Sequence, residues 1–309
     1  MRPTPRWGRA TLIAGVVVVV IGIGYVALGS PLKAAIRGVS QAGPPSASAP
    51  GRASNVSIGP PSLSASPPAP GYGEVAGGPS GVKMPDHDLP GWKLSFADDF
   101  NGKTLGNSWF AYTGEPEGDP GGFFSPNHVA VGHDMLTIGA WQEPEHGNRY
   151  VTGGISVLDG LAQKYGRYEV RFKMQLGQGI SYALLLWPST NKSRPEIDFA
   201  EDNGRLRDAT FMTVHPAAGG KAIGRSVGGD FTQWHTVGME WSPNLIVFTV
   251  DGREWTRVTG DVVPSEPMTL ALQSQSWNCG RGWVACPDAS TPPRVDLFID
   301  WAVQWAWAG

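Results

Sequence analysis

The nine residues Gly166 to Met174 alternate strictly. Tyr168, Val170, Phe172 and Met174 are apolar, and Arg167, Glu169, Arg171 and Lys173 between them are charged. Successive side chains of a strand point to opposite faces, so the segment fits a sheet with one face on a core and the other in water. A helix would scatter the same residues around its circumference. No long stretch of the chain has helical periodicity; strand signals separated by turn residues recur instead. Met135-Leu136-Thr137-Ile138 is a second short strand. Ala183 to Trp187 is continuously apolar, as in a strand buried on both faces, and Pro188 to Arg194 forms the turn after it. Leu245 to Val250 ends at Asp251-Gly252, a two-residue hairpin signal, with the next strand starting near Glu254. Leu297 to Trp301 closes the series. The pattern predicts an all-β sandwich.

The strands begin only in the second third of the chain. Arg2, Arg6 and Arg9 precede an uncharged apolar run from Leu12 to Leu28, which fits a signal peptide or a retained signal anchor over residues 1–30. Either way, positive charge stays inside and the rest of the chain is exported, to an extracellular or periplasmic location. An uncleaved segment makes the membrane a partner. Residues 31–88 are dominated by Pro, Gly, Ser and Ala, with Tyr72 the one aromatic between 31 and 84. Such a stretch buries too little apolar surface to offset its ordering entropy, and is expected to be a disordered linker. The folded domain is placed at 89–309, where all tryptophans but Trp7 lie. Residues 1–80 carry six basic groups and one acid, so 81–309 hold −8 of a total of −3. An acidic domain is a poor partner for nucleic acid and suits a neutral ligand. Cys279 and Cys286 are the only cysteines. In an exported chain they fit a disulfide closing a small loop, free thiols being the alternative.

Within the domain, Glu196-Ile197-Asp198-Phe199-Ala200-Glu201 holds three carboxylates in six residues. Acidic residues are depleted in strands. Glu196 and Asp198 share a face, but Glu201 lies at an odd offset from Glu196 and would face away. One extra residue at a bulge flips that parity, and Ala200 is small enough to sit there. The two glutamate Cα atoms then stand roughly 13 Å apart. Two long side chains leaning together could bring the carboxyls to the spacing of about 5–5.5 Å that retaining glycosidases use. A solvated edge strand is the other reading of the hexapeptide.

The residues around it carry a resemblance. Asp98-Asp99-Phe100-Asn101-Gly102, Gly153-Gly154-Ile155-Ser156, Tyr165-Gly166-Arg167-Tyr168-Glu169-Val170-Arg171, Leu186-Trp187-Pro188, Val214-His215, Trp234-His235, Glu240-Trp241-Ser242-Pro243, Val250-Asp251-Gly252 and Ile299-Asp300-Trp301 follow in the order found in glycoside hydrolase family 16. The chain resembles that family from about Trp92 to Trp305. The resemblance implies a β-jelly roll (concanavalin-like) with a concave substrate cleft, and a retaining endo-glycosidase of the laminarinase and licheninase type. By the same resemblance Glu196 is the nucleophile, Glu201 the general acid/base and Asp198 the nucleophile's partner. Crowded carboxyls cannot all ionise cheaply, so one proton is retained, and it is assigned to Glu201. Asp99 for the usual Glu, Val237 for a common aromatic, and the loop Gln275 to Asp288 depart from the family pattern.

Trp187 and Trp277 are candidate sugar platforms, with core packing the alternative. His215 is a candidate to bond Asp198 or a sugar hydroxyl, and Gln273 and Gln275 share one strand face. Asp99 and Asp300 are where some relatives hold calcium, but no metal and no cofactor is assigned. The expected substrate is a β-1,3- or β-1,3/1,4-glucan, cleaved by a monomer. A transglycosylase on the same glycans and a non-catalytic carbohydrate-binding module are the competing functions; the intact acidic row favours catalysis over binding alone.

Overall fold

The alternation at Gly166–Met174 does form a strand with Tyr168, Val170, Phe172 and Met174 buried in the core. The structure is a computed structural model that describes residues 78–116, 122–217, 220–276 and 284–309. The expected export segment and most of the expected linker therefore lie outside the described residues, as do Trp277 and Cys279 and with it the Cys279–Cys286 pairing.

The described residues build two antiparallel sheets packed face to face. One contains β1 (Trp92–Asp98), β3 (Val129–Gly132), β4 (Met135–Glu143), β5 (Arg149–Val151), β7 (Gly166–Met174), β12 (His235–Ser242), β13 (Leu245–Val250), β14 (Arg253–Thr259) and β16 (Arg294–Trp307). It runs in the order β14-β13-β12-β7-β16-β4-β3, with β1 on β16 and β5 on β4. The other contains β2 (Trp109–Ala111), β6 (Gly154–Val157), β8 (Ile180–Pro188), β9 (Glu196–Glu201), β10 (Ala209–His215), β11 (Ile223–Gly228) and β15 (Met268–Ser276), in the order β11-β10-β9-β8-β15-β6-β2. The non-consecutive neighbours are those of a jelly roll, the predicted sandwich. The main core, between the sheets, includes Phe172, Met174, Trp241 and Ile299 from one and Leu184, Leu186, Ile197, Val214 and Leu272 from the other.

The strand readings hold in position; Gly166–Met174 and Leu245–Val250 match to the residue, and the runs beginning at Met135, Ala183 and Leu297 fall short in length. The hairpin turn has both Asp251 and Gly252 at positive φ (49° and 73°), the geometry of a type I′ turn, and the returning strand starts at Arg253. The closing strand runs from Arg294 to Trp307, well past both ends of the apolar run. A bulge between Ile299 and Trp301 turns Trp301, Val303 and Trp305 to the outer face of the sheet. Residues 78–88, grouped by composition with the linker, pack there. The Trp301 indole donates to Val82 O at 3.0 Å, and that of Trp305 donates to His87 O at 2.9 Å. Composition missed this because both indole bonds go to backbone carbonyls, which any residue supplies, and the apolar contacts are few, among them Val82 and Met84.

Candidate active site

β9 lies between β8 and β10, in the interior of the seven-stranded sheet, so the edge-strand reading of the hexapeptide does not apply. Against β10 the pairs are Glu196 with His215, Asp198 with Thr213 and Glu201 with Phe211. Two residues of β10 thus span three of β9 between the last two pairs. Against β8, Asp198 and Ala200 oppose the consecutive residues Leu185 and Leu184. One extra residue therefore sits at Phe199-Ala200, where the parity argument needs it. Ile197, Phe199 and Ala200 all pack into the core, and Glu196, Asp198 and Glu201 emerge together on the other face.

That face, away from the main core, also carries Ala183, Leu185 and Trp187 of β8 and Ala271, Gln273 and Gln275 of β15, as the register requires. Tyr112 and Phe124 join Ala183, Leu185, Trp187 and Ala271 in a second apolar cluster. Gly154 allows this: a Cβ there would stand 2.5 Å from the Tyr112 ring and 2.9 Å from Gln273 Cβ. Trp187 is on the predicted face but only 5 % exposed, and its indole donates to Asn191 Oδ1 at 3.0 Å.

The carboxylates differ in depth. Glu196 and Asp198 are 1 % and 4 % exposed, whereas Glu201, at the strand end, is half-buried. His215 Nε2 lies 3.2 Å from Asp198 Oδ2 and 3.8 Å from Glu196 Oε2. Thr213 donates its hydroxyl to Glu201 Oε1 at 2.8 Å. Three buried polar atoms of this face, Glu196 Oε2, His215 Nδ1 and Gln273 Nε2, have no hydrogen-bond partner among the described residues. Burial pushes Glu196 well above the usual carboxylate range, helped by the charges of Asp198 and Glu201 and opposed by Arg194. Burial and Asp198 push Glu201 well up too, against the Thr213 hydrogen bond. The retained proton expected on Glu201 alone is thus contested by Glu196, because Glu196 sits deeper than its strand position suggests.

A carboxyl with a raised folded pKa binds its proton more tightly folded than unfolded, so stability falls as pH rises from the unfolded value, roughly 4.3, through the folded one. Glu196→Gln and Glu201→Gln should therefore each raise the melting temperature at pH 7, with the gain vanishing below about pH 4. Melting curves at the two pH values check this; an equal effect at both would contradict it.

Sequence reasoning missed the support beneath Glu201. Asp202, the next residue, accepts Tyr182 N–H at 3.1 Å where the β8–β9 ladder ends. Its other oxygen pairs with the buried Arg207 guanidinium, which also donates to Ile180 O and Gln175 O. Arg207 is held at positive φ (59°). Neither the five-residue spacing nor that backbone turn is a sequence signal for an ion pair.

The chain matches the family pattern described as Glycosyl hydrolases family 16 over residues 126–303, more than half its length. It is 30 % identical over 208 residues to the glucan endo-1,3-beta-glucosidase A1 of Niallia circulans, covering 56 % of this chain and 30 % of that one. It is 26 % identical over 214 residues to a beta-glucanase of Rhodothermus marinus, covering 58 % and 68 %. With the endo-1,3-1,4-beta-glycanase ExsH of Rhizobium meliloti the identity is 29 %, over 48 % of this chain and 34 % of that one. The chain thus spans about a third of the first and third of these relatives. In fold it superposes on the laminarinase of Rhodothermus marinus with a TM-score of 0.63, at 24 % identity over 72 % of this chain and all of that one. The catalytic domain of an endo-1,3-beta-glucanase from Thermotoga petrophila gives 0.62, at 22 % identity over 71 % and 99 %. With the family pattern spanning both sheets and the acidic row, the chain belongs to glycosyl hydrolases family 16.

Proposed function

We propose that this protein is an exported, retaining endo-β-glucanase that cleaves a β-1,3- or β-1,3/1,4-glucan through a covalent glycosyl-enzyme. The observation that carries this is the bulge at Phe199-Ala200, which puts Glu196, Asp198 and Glu201 on one face of an interior strand. The activities for which the relatives are named, glucan endo-1,3-beta-glucosidase and endo-1,3-1,4-beta-glycanase, support the substrate class. The Arg-flanked apolar run at Leu12–Leu28 supports export.

The chemistry runs in two steps. Glu201 gives its proton to the glycosidic oxygen as the C–O bond breaks, and a Glu196 oxygen bonds the anomeric carbon. Glu196 Oε2, with no hydrogen-bond partner among the described residues, has its lone pairs free for that attack. Glu201 then takes a proton from water, whose oxygen displaces Glu196 and restores the carboxylate. The Thr213 hydroxyl on Oε1 leaves Oε2 of Glu201 to carry the proton. Asp198, two residues from the nucleophile with His215 at 3.2 Å, adds negative charge beside Glu196, which disfavours the free carboxylate relative to the neutral ester. Gln273 Nε2, a buried donor, and the buried ring nitrogen His215 Nδ1 are suited to sugar hydroxyls.

A panel of purified polysaccharides tests the reading. On a β-1,3- or mixed-linkage glucan the viscosity should drop well before reducing ends accumulate, as internal cleavage requires. Hydrolysis confined to galactans, or none on any glucan, would overturn the substrate assignment.

A further inference from the structure

The geometry points to Glu196, Asp198 and His215 as a binding site for one zinc ion, which blocks the nucleophile. The blocking role rests on the catalytic reading above; the binding site does not. The ladder sets Glu196 directly opposite His215, with Asp198 next on the same face. One ligand atom from each of the three lies within 4.8 Å of the other two. Donors around a tetrahedral zinc, at about 2.0–2.1 Å from the metal, are separated by roughly 3.3 Å. His215 Nε2 stands 3.2 Å from Asp198 Oδ2 and 3.8 Å from Glu196 Oε2, close to that spacing, so side-chain rotation would bring the three donors onto one ion.

A second observation points the same way. Glu196 is 1 % exposed, and its Oε2, the atom turned toward the imidazole, has no hydrogen-bond partner among the described residues. A buried carboxylate oxygen without a hydrogen bond is costly. A dication among two carboxylates and a neutral imidazole cancels their charge.

The donor set selects the metal. One imidazole nitrogen with two carboxylate oxygens suits a borderline transition ion, whereas calcium and magnesium take oxygen ligands in larger shells. Three protein ligands leave the fourth position to water. Glu201 is spared because Thr213 holds its Oε1 and it is not among the converging donors. The bound ion therefore occupies the lone pair that would attack the sugar, and inhibition is competitive with glucan.

Calorimetry of the full chain with Zn²⁺, after chelator treatment, should show one saturable site. Co²⁺ in its place should give the visible absorption of a four-coordinate centre. His215→Gln and Asp198→Asn should each weaken binding at least ~10-fold, while Asp86→Asn, in the acidic cavity on the other sheet, leaves it unchanged. Two substitutions on different strands guard against one failing to fold. No saturable binding, or binding equally strong in both site variants, overturns the proposal. Because calorimetry does not use turnover, zinc binding in a chain that cleaves no glucan supports the site while sinking the catalytic reading. A glucanase that ignores zinc does the reverse.

Discussion

Glu196→Ala abolishes glucan turnover, with kcat falling roughly 10⁴-fold or more, because no other group can form the glycosyl ester. Glu201→Ala lowers it by about 10²–10⁴-fold, the usual worth of a positioned general acid. The two losses differ in kind. An aryl glycoside whose leaving group departs without a proton should recover much of the first-step rate in Glu201→Ala and none of it in Glu196→Ala. Neither variant should melt lower than wild type at neutral pH, since each removes a carboxyl that burial holds above its usual range. Wild-type hydrolysis by either variant would remove the roles assigned here.

Deleting Ala200 tests the backbone instead of the side chains. The shortened β9 can pair regularly with β8 and β10, and the glutamate after Phe199, now four positions from Glu196, keeps the face of Glu196 and Asp198. Turnover should stay well above the level of Glu201→Ala. Ala200→Gly keeps the extra residue and should retain most of the activity. Circular dichroism confirms that the sheet persists. A deletion variant as slow as Glu201→Ala, with the sheet intact, would contradict the parity argument.

Much of this was legible in the chain, for a reason that differs by residue. Gly166–Met174 could be read because one face is wet, and alternation survives in the sequence only where the two faces differ. The bulge could be read because three carboxylates on a strand leave a parity problem with one economical solution. Other strand ends could not be read: β16 extends through Trp301, Val303 and Trp305, whose outward faces are covered in part by residues 78–91, so alternation disappears there. Ion pairing at Asp202 and Arg207 was equally hidden, since it depends on the positive φ of Arg207. Trp187 shows the limit of residue type as a guide. It lies on the predicted face, but Leu185, Ala271 and their apolar neighbours surround it, and a tryptophan in a sugar cleft and one in a packed cluster look alike in a sequence.

The same burial that makes the row reactive makes it costly. Glu196 carries neighbouring negative charge from both Asp198 and Glu201, and Glu201 carries it from Asp198 and Asp202. Arg207 offsets the last of these, and removing one member of such a buried pair costs roughly 3–5 kcal/mol. The β8–β9 end is therefore built to hold a strained set of carboxylates in place.

Proton NMR of the first sugar released from a β-glucan settles whether Glu196 and Glu201 converge on one anomeric carbon. Two successive displacements should give the β-anomer first, with the α-form appearing only as mutarotation proceeds. An α-anomer formed first would mean a single displacement by water, and would contradict a nucleophile at Glu196.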